Sequence, residues 1–421
     1  MSQTAEIRAL ARTNGAAAEA RLSEWIAGLF GIPVSGLRIN HDQYSLNSLN
    51  GFFRSGAEDF FFKFHQEEGE EAMRGEYYRA DILARAGLPV DQPVHMSTLP
   101  GEQVLIYRRR TSPRFSDVLR ALDLAPEREA IARAAAAEAA LNDRILTVAT
   151  QTLHPITPAQ SRAEPIHRLF HERLIDPPQG RYPGGRLAAF YVGQRFELPG
   201  LSADWAEIAA ARTVLNGIPY RHSLGELFDR AHVRLDPARL ADAGGIVAHG
   251  DAHNANVWYE DGALSYFDPA FAGADVPALL AEVKPTFHNI FAHPLWLYDA
   301  AEASGRYQAS ARLEAGRLHI DTDWAPGPVR RALLAAKSAH FWRPWIAHLA
   351  AQNLLPPDWE EVLRLALFLC PTLVMNLRGG NPVSLAVGLQ VALMCGSAPE
   401  AGADLVTDFL AGIRPGLRAM E

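Results

Sequence analysis

Cysteine is nearly absent from this chain: Cys370 and Cys395 are the only two in 421 residues. Two isolated thiols cannot build a disulfide framework or a zinc site, so both are expected as buried free cysteines. A basic tract is missing too. With a net charge of −8, the sequence offers no electrostatic footprint for nucleic acid. Long apolar runs are lacking as well. The most apolar stretches, residues 365–375 and 383–395, fall short of the roughly 20 residues a membrane span needs, and Pro371 interrupts the first. Both read as core helices. The start, Met1-Ser2-Gln3-Thr4-Ala5-Glu6, has no basic region followed by an apolar core, so no leader and a cytoplasmic location are expected. No internal repeat is visible. What remains is 48% hydrophobic and 21% charged, within globular norms, and long enough for two lobes with a substantial core.

The most informative stretch is His249-Gly250-Asp251-Ala252-His253-Asn254-Ala255-Asn256. A short apolar run, Gly245-Ile246-Val247-Ala248, leads into it. After it come Val257-Trp258-Tyr259, an Asp261-Gly262 pair, and Leu264-Ser265-Tyr266-Phe267 ending at Asp268-Pro269. Two β-prone runs around Asp-Gly are a strong hairpin signal. In an antiparallel hairpin the start of the first strand lies beside the end of the second, so Asn256 and Asp268 are expected to meet. Asp251 and Asn256 stand five apart, the spacing of the Asp and Asn in the protein-kinase catalytic loop. Phosphoryl transfer needs few side chains, in set positions: a carboxylate facing the acceptor hydroxyl, and an amide oxygen and second carboxylate on magnesium. Magnesium takes only one or two oxygens from protein.

The combination His249-Gly250-Asp251-x-His253-x-x-Asn256 with Phe267-Asp268-Pro269 resembles the signature of the aminoglycoside phosphotransferase and choline kinase superfamily, small-molecule kinases with a protein-kinase-like fold. The resemblance implies Asp251 as catalytic base, Asn256 and Asp268 as magnesium ligands, and His249 and His253 as supports of the loop.

Upstream elements appear in the order such a fold requires. Asp59-Phe60-Phe61-Phe62-Lys63-Phe64-His65 reads as a strand, whose period of two puts Phe60, Phe62 and Phe64 on one face and Phe61, Lys63 and His65 on the other. A lysine on such a strand contacts nucleotide phosphates in kinases. Residues 69–86 read as a helix with Met73, Tyr77, Ala80, Leu83 and Ala84 on one stripe. Glu76 falls on that stripe and is preferred as the partner of Lys63, since a carboxylate there needs a cation; Glu67, Glu68, Glu70 and Glu71 are rivals, clustered at the helix start, where acidic residues favour the dipole. Asn47 and Ser48 lie where a phosphate-covering loop belongs, although this chain has no paired glycines at that turn. Residues 103–107 are the expected strand into the inter-lobe hinge.

The expected fold is α+β and bilobal: residues 1–107 as a nucleotide-binding lobe with a small β-sheet, and 108–421 as a larger, mainly helical lobe for catalysis and the acceptor. Helices are expected near 4–12, 15–30 and 125–150. Residues 154–201 are rich in proline and glycine, and two readings stand: an insertion near the acceptor site, or a surface excursion. Lys284, His288, Arg343 and Arg378 are the candidate acceptor contacts. These cations suit a neutral, zwitterionic or anionic acceptor better than a polycation. The function expected is ATP- and magnesium-dependent phosphoryl transfer to a small-molecule hydroxyl, of an amino alcohol, sugar or nucleoside for example. The alternatives are an antibiotic-inactivating phosphotransferase and a catalytically silent kinase-fold binding protein. A protein kinase fits less well, for there is no Asp-Phe-Gly. The sequence is silent on oligomeric state.

Overall fold

The computed structural model describes residues 3–40, 48–65, 79–97, 104–292 and 295–416, with backbone only at 48, 64 and 65. They form mixed helix and strand and divide into two compact units, Met1–Asp81 with Val90–Ser112, and Ile82–Pro89 with Pro113–Glu421.

The first unit opens with helices Gln3–Thr13 and Gly15–Phe30. Asn14 separates them and caps the second, its side chain accepting from Ala17 N–H, and Gly31 ends that helix in the left-handed region (φ 66°). Both features follow from residue chemistry: Asn is a preferred N-cap, and Gly tolerates positive φ after a helix end. Five strands follow: β1 (Ser35–Ile39), β2 (Ser48–Ser55), β3 (Glu58–His65), β4 (His95–Ser97) and β5 (Val104–Arg108). They make one antiparallel sheet in the order β1-β2-β3-β5-β4. Phe60 and Phe62 of β3 are buried with Phe53, Val104 and Ile106 against Ile7, Leu22 and Ile26 of the helices. Phe61 and Lys63 occupy the other, half-buried face.

The second unit is built on the Ala-rich helix Arg128–Thr152, capped by the Glu127 side chain. Helices Trp359–Val374 and Pro382–Gly396 are buried along nearly their whole length. By length and composition alone, Trp359–Gly379 could cross a membrane, but 72% of its most apolar window is covered by protein, as in a core helix. More strand is present than the sequence patterns suggest. Arg212–Leu215 and Ile218–Pro219 join Ala309–Glu314 and Arg317–Thr322 in a four-stranded sheet. Its two hairpin turns, Asn216-Gly217 and Ala315-Gly316, have positive φ at both positions, the geometry that matches strand twist.

Residues 154–201 are compact and irregular. Helix Pro158–Ala163 carries a capping box from Thr157 and Gln160, followed by 3-10 turns Pro165–Leu169 and His171–Arg173. The loop after Arg173 closes on itself: Gly184 N–H donates to Leu174 O (2.7 Å) and Gly185 N–H to Asp176 Oδ1 (2.8 Å). A Cβ at Gly185, where φ is +51°, would lie 2.9 Å from Arg173 O, so the closure needs glycine.

Candidate active site

The site is built around the loop between strand Gly245–Ala248 and hairpin Val257–Glu260/Ala263–Tyr266. The strand pairs antiparallel with Gly273–Pro277, and His154 exchanges two backbone hydrogen bonds with Gly245, so the start of the loop is held on both sides. Gly250 then turns the chain with φ +75°, and a Cβ there would meet the Phe271 carbonyl oxygen at 2.5 Å. No other residue fits this turn.

His249 is fixed by its partners. Nε2–H donates to Phe267 O (3.0 Å) and Nδ1 accepts from Asp251 N–H (3.3 Å), which requires the neutral ring. Burial lowers its pKa to match. The ring thus ties the end of the hairpin to the residue carrying the carboxylate. Asn256 Nδ2–H donates to the Asp251 main-chain oxygen (3.0 Å), leaving Oδ1 as its remaining acceptor. Val257 pairs with Tyr266, and Phe267 N–H donates to Asn256 O (3.0 Å). Asp268, one residue further, is therefore adjacent to Asn256. Trp258 and Phe267 stack at 4.3 Å across the hairpin. Asp268 has φ 53°, a left-handed conformation that costs a non-glycine residue on the order of 1–3 kcal/mol and clusters at functional sites. Both Asp251 and Asp268 act electrostatically on His249 and His253. One amide oxygen and one carboxylate are the hard donors that magnesium takes from protein, so Asn256 and Asp268 fit that ion.

Asp251 is buried and faces a second buried charge. Lys284 Nζ lies 2.5 Å from Asp251 Oδ1. Burial lowers the lysine pKa and Asp251 opposes that shift. His253 Nε2 is 3.7 Å from the same oxygen, and burial pulls its pKa down to about 4, so it is neutral. Lys284 belongs to the short helix Val283–Thr286, which continues into a π-helical turn, Phe287–Phe291; such turns recur at functional sites. His288 in that turn bonds the Tyr298 hydroxyl through Nδ1 (2.8 Å), and its ring centroid is 5.7 Å from that of His253. Asn289 accepts the Asn254 backbone N–H on Oδ1 (2.8 Å). Its own carbonyl accepts from Arg330 Nη1–H (2.6 Å), and Arg330 is held by Asp123 (2.7 Å). A buried chain of four residues thereby supports the loop from behind.

Of the acceptor candidates, Lys284 is paired with Asp251 and His288 lies beside the His253 ring. Arg343 and Arg378 are engaged elsewhere, Arg343 with the Gly412 carbonyl and Arg378 with those of Arg195 and Phe190. Sequence reasoning passed over Arg173, whose charged form Asp251 and Tyr298 favour electrostatically. The proline-rich segment carrying it was the one available signal. Cys370 is close by, but burial pushes its thiol up to about 12, so it is no nucleophile.

In the first unit, Lys63 sits mid-sheet opposite Asn50 on β2 and Leu105 on β5. Phe61 shares its face, with Phe52 and Tyr107 rings 5.5 and 6.5 Å away. Glu76 and Asn47 lie outside the described residues, as does the Ser48 side chain; of the expected 69–86 helix, residues 79–86 are described and Ala80–Ala86 are helical.

No family model and no curated protein matches the chain. Among solved structures it is similar to the spectinomycin phosphotransferase APH(9)-Ia in complex with ADP and spectinomycin, at 12% identity and TM-score 0.39, over 89% of this chain and 98% of that one. A thermostable mutant of the aminoglycoside phosphotransferase APH(4)-Ia, with ADP and hygromycin B, is similar at 13% identity and TM-score 0.45, over 89% and 98%. The macrolide 2'-phosphotransferase MphH from Brachybacterium faecium is similar at 15% identity and TM-score 0.34, over 82% and 97%. At such distances the chemistry of this site rests on its own residues.

Proposed function

We propose that the chain is an ATP- and magnesium-dependent phosphotransferase that moves the γ-phosphoryl group to a hydroxyl of a small molecule. The observation that carries this reading is the loop and hairpin on which Asp251, Asn256 and Asp268 sit, with Asn256 bonded to the Asp251 backbone, Phe267 N–H to the Asn256 carbonyl, and Asp268 in a left-handed conformation. In the proposed reaction the acceptor oxygen bonds to the γ-phosphorus as the bond to the ADP oxygen breaks, and the hydroxyl proton passes to Asp251. Lys284 holds the Asp251 carboxylate in place. Asn256 and Asp268 would hold magnesium, which neutralises charge on the phosphates.

Lys63 is assigned to the nucleotide phosphates, with Glu76 as its partner, and Asn47 and Ser48 to the phosphate-covering loop. In this reading the two units are the lobes of a protein-kinase-like fold, and the cytoplasm, with its ATP and reduced thiols, is the compartment that suits it. A polycationic acceptor fits poorly, because Asp251 already has a buried ammonium at 2.5 Å.

The test is a nucleotide-consumption screen over amino alcohols, sugars, nucleosides, amino sugars and aminoglycosides. Consumption raised by one class and dependent on magnesium supports the reading. No stimulation by any class, with no binding of magnesium-ATP, contradicts it.

A further inference from the structure

Four buried polar atoms without a hydrogen-bond partner belong to the Asp251 loop and its neighbours: Asp251 Oδ1, met by the Lys284 ammonium as an ion pair, Asn254 Nδ2, His288 Nε2 beside the His253 ring, and Arg173 Nη1 within electrostatic range of Asp251. Buried polar atoms left unmet are costly, and where they gather they call for a ligand. Charge sharpens the point. The groups that favour the charged form of Arg173 are Asp251, Cys370 and Tyr298, and only Asp251 is a carboxylate. Asp251 is already paired with Lys284 at 2.5 Å. Burial keeps His288 neutral. Burial, and then Arg186, pulls Arg173 down to about 10, so it stays charged at neutral pH. The one carboxylate that favours the charged Arg173 is thus already shared with Lys284.

Arg173 is also held in position. It ends the 3-10 turn His171–Arg173, in a loop closed by Gly184 and Gly185. Arg186 anchors that loop by donating to the carbonyls of Leu373 and Val374, 2.9 and 2.8 Å away at the end of helix Trp359–Val374. Tyr191 adds a bond to the Thr372 carbonyl, 2.6 Å. The backbone that carries Arg173 is fixed in this way, and the planar donors of a guanidinium match the oxygens of a carboxylate or phosphate.

We propose that Arg173 binds an anionic group of the acceptor while the acceptor hydroxyl faces Asp251, so that the substrates are hydroxy compounds bearing a carboxylate or a phosphate. The proposal rests on the phosphotransferase reading. It gives the proline-rich segment a role in choosing the acceptor.

The experiment uses hydroxy compounds matched by skeleton: glycerol, glycerate and glycerol 3-phosphate; glucose, gluconate and glucose 6-phosphate; with choline and kanamycin as cations. Each is followed by thermal shift and by nucleotide consumption. Members of a carboxylate or phosphate set are expected to stabilise the protein and drive consumption, and the better set identifies the anion. Arg173→Ala should raise the KM for that compound about tenfold or more, the weight of one charge-assisted hydrogen bond. It should leave the KM for ATP unchanged, and Arg173→Lys should restore part of the loss. The proposal is overturned if the responding compound is neutral or cationic, or if no anionic compound shifts the melting curve. It is also overturned if Arg173→Ala alters the KM for ATP instead, which would place the guanidinium on the nucleotide. Anion-dependent stabilisation lost in Arg173→Ala, with no nucleotide consumed, would uphold the anion site and sink the kinase reading.

Discussion

Lys284 Nζ lies 2.5 Å from Asp251 Oδ1, with both side chains buried. The pair ties the helix Val283–Thr286 to the 249–256 loop. Breaking a buried pair strands one charge and costs about 3–5 kcal/mol, whereas replacing both partners costs far less. Lys284→Met should therefore lower the unfolding free energy by about that amount, and Asp251→Asn/Lys284→Met should recover much of it. Urea unfolding of the two single variants and the double variant measures the coupling. Additive losses would mean that the pair contributes no interaction energy.

Asn289 supports the same loop without facing it. Its Oδ1 accepts the buried Asn254 N–H (2.8 Å), and Arg330 anchors its carbonyl (2.6 Å). Asn289→Ala leaves that N–H unmet, a loss of about 1–3 kcal/mol, and lets the loop drift. Turnover should fall about tenfold to a hundredfold, with the KM for ATP unchanged. Steady-state kinetics with a responding acceptor reads both. An equal rise in the KM for ATP would place Asn289 in nucleotide binding.

Gly250 allows the sharpest backbone test. Alanine there must adopt φ +75° and press its Cβ to 2.5 Å from the Phe271 carbonyl. Gly250→Ala should cost at least about 1–2 kcal/mol from the left-handed conformation alone and abolish turnover. A stable, active Gly250→Ala protein would show that the turn relaxes freely.

His167 makes stability depend on pH. Its Nε2–H donates to Ser161 O (2.8 Å), and burial lowers its pKa from 6.5 to about 4. The unfolded chain takes up this proton near pH 6.5 and the folded one only near pH 4. The contribution is therefore complete above pH 6.5 and is lost as the pH falls to about 4, on the order of 3 kcal/mol. Denaturation between pH 7 and 4 should show a smaller loss in His167→Gln than in the parent. Identical slopes would mean that His167 is protonated when folded.

The hairpin and its loop were legible because local chemistry forces them. Asp261-Gly262 supplies both positive φ angles of the turn (51° and 78°), and the hairpin then sets Phe267 against the Asn256 carbonyl. The aromatic alternation around Lys63 was equally plain, for Phe60 and Phe62 are buried while Phe61 shares the lysine's face. Long-range placement was not legible. Arg343 and Arg378 have the composition of ligand contacts, yet each satisfies backbone carbonyls, which only the fold reveals. Arg173 comes within electrostatic range of Asp251 across a large sequence separation, with no periodic pattern to announce it. The parallel pairing of Arg212–Leu215 with Arg317–Thr322 is hidden for the same reason. The π-turns at Phe287–Phe291 and Ser338–Trp342 interrupt the helical period, so they blur the stripes from which helices are read.

The central claim is that Asp251 takes the proton of an acceptor hydroxyl. Its most direct test follows transfer of the labelled γ-phosphoryl to a responding acceptor in Asp251→Asn and in the parent, with magnesium-ATP affinity measured on both. The account predicts that transfer falls by about 10²–10⁴-fold, the usual weight of general base help, while nucleotide affinity stays nearly the same. Near-normal transfer by Asp251→Asn would contradict it.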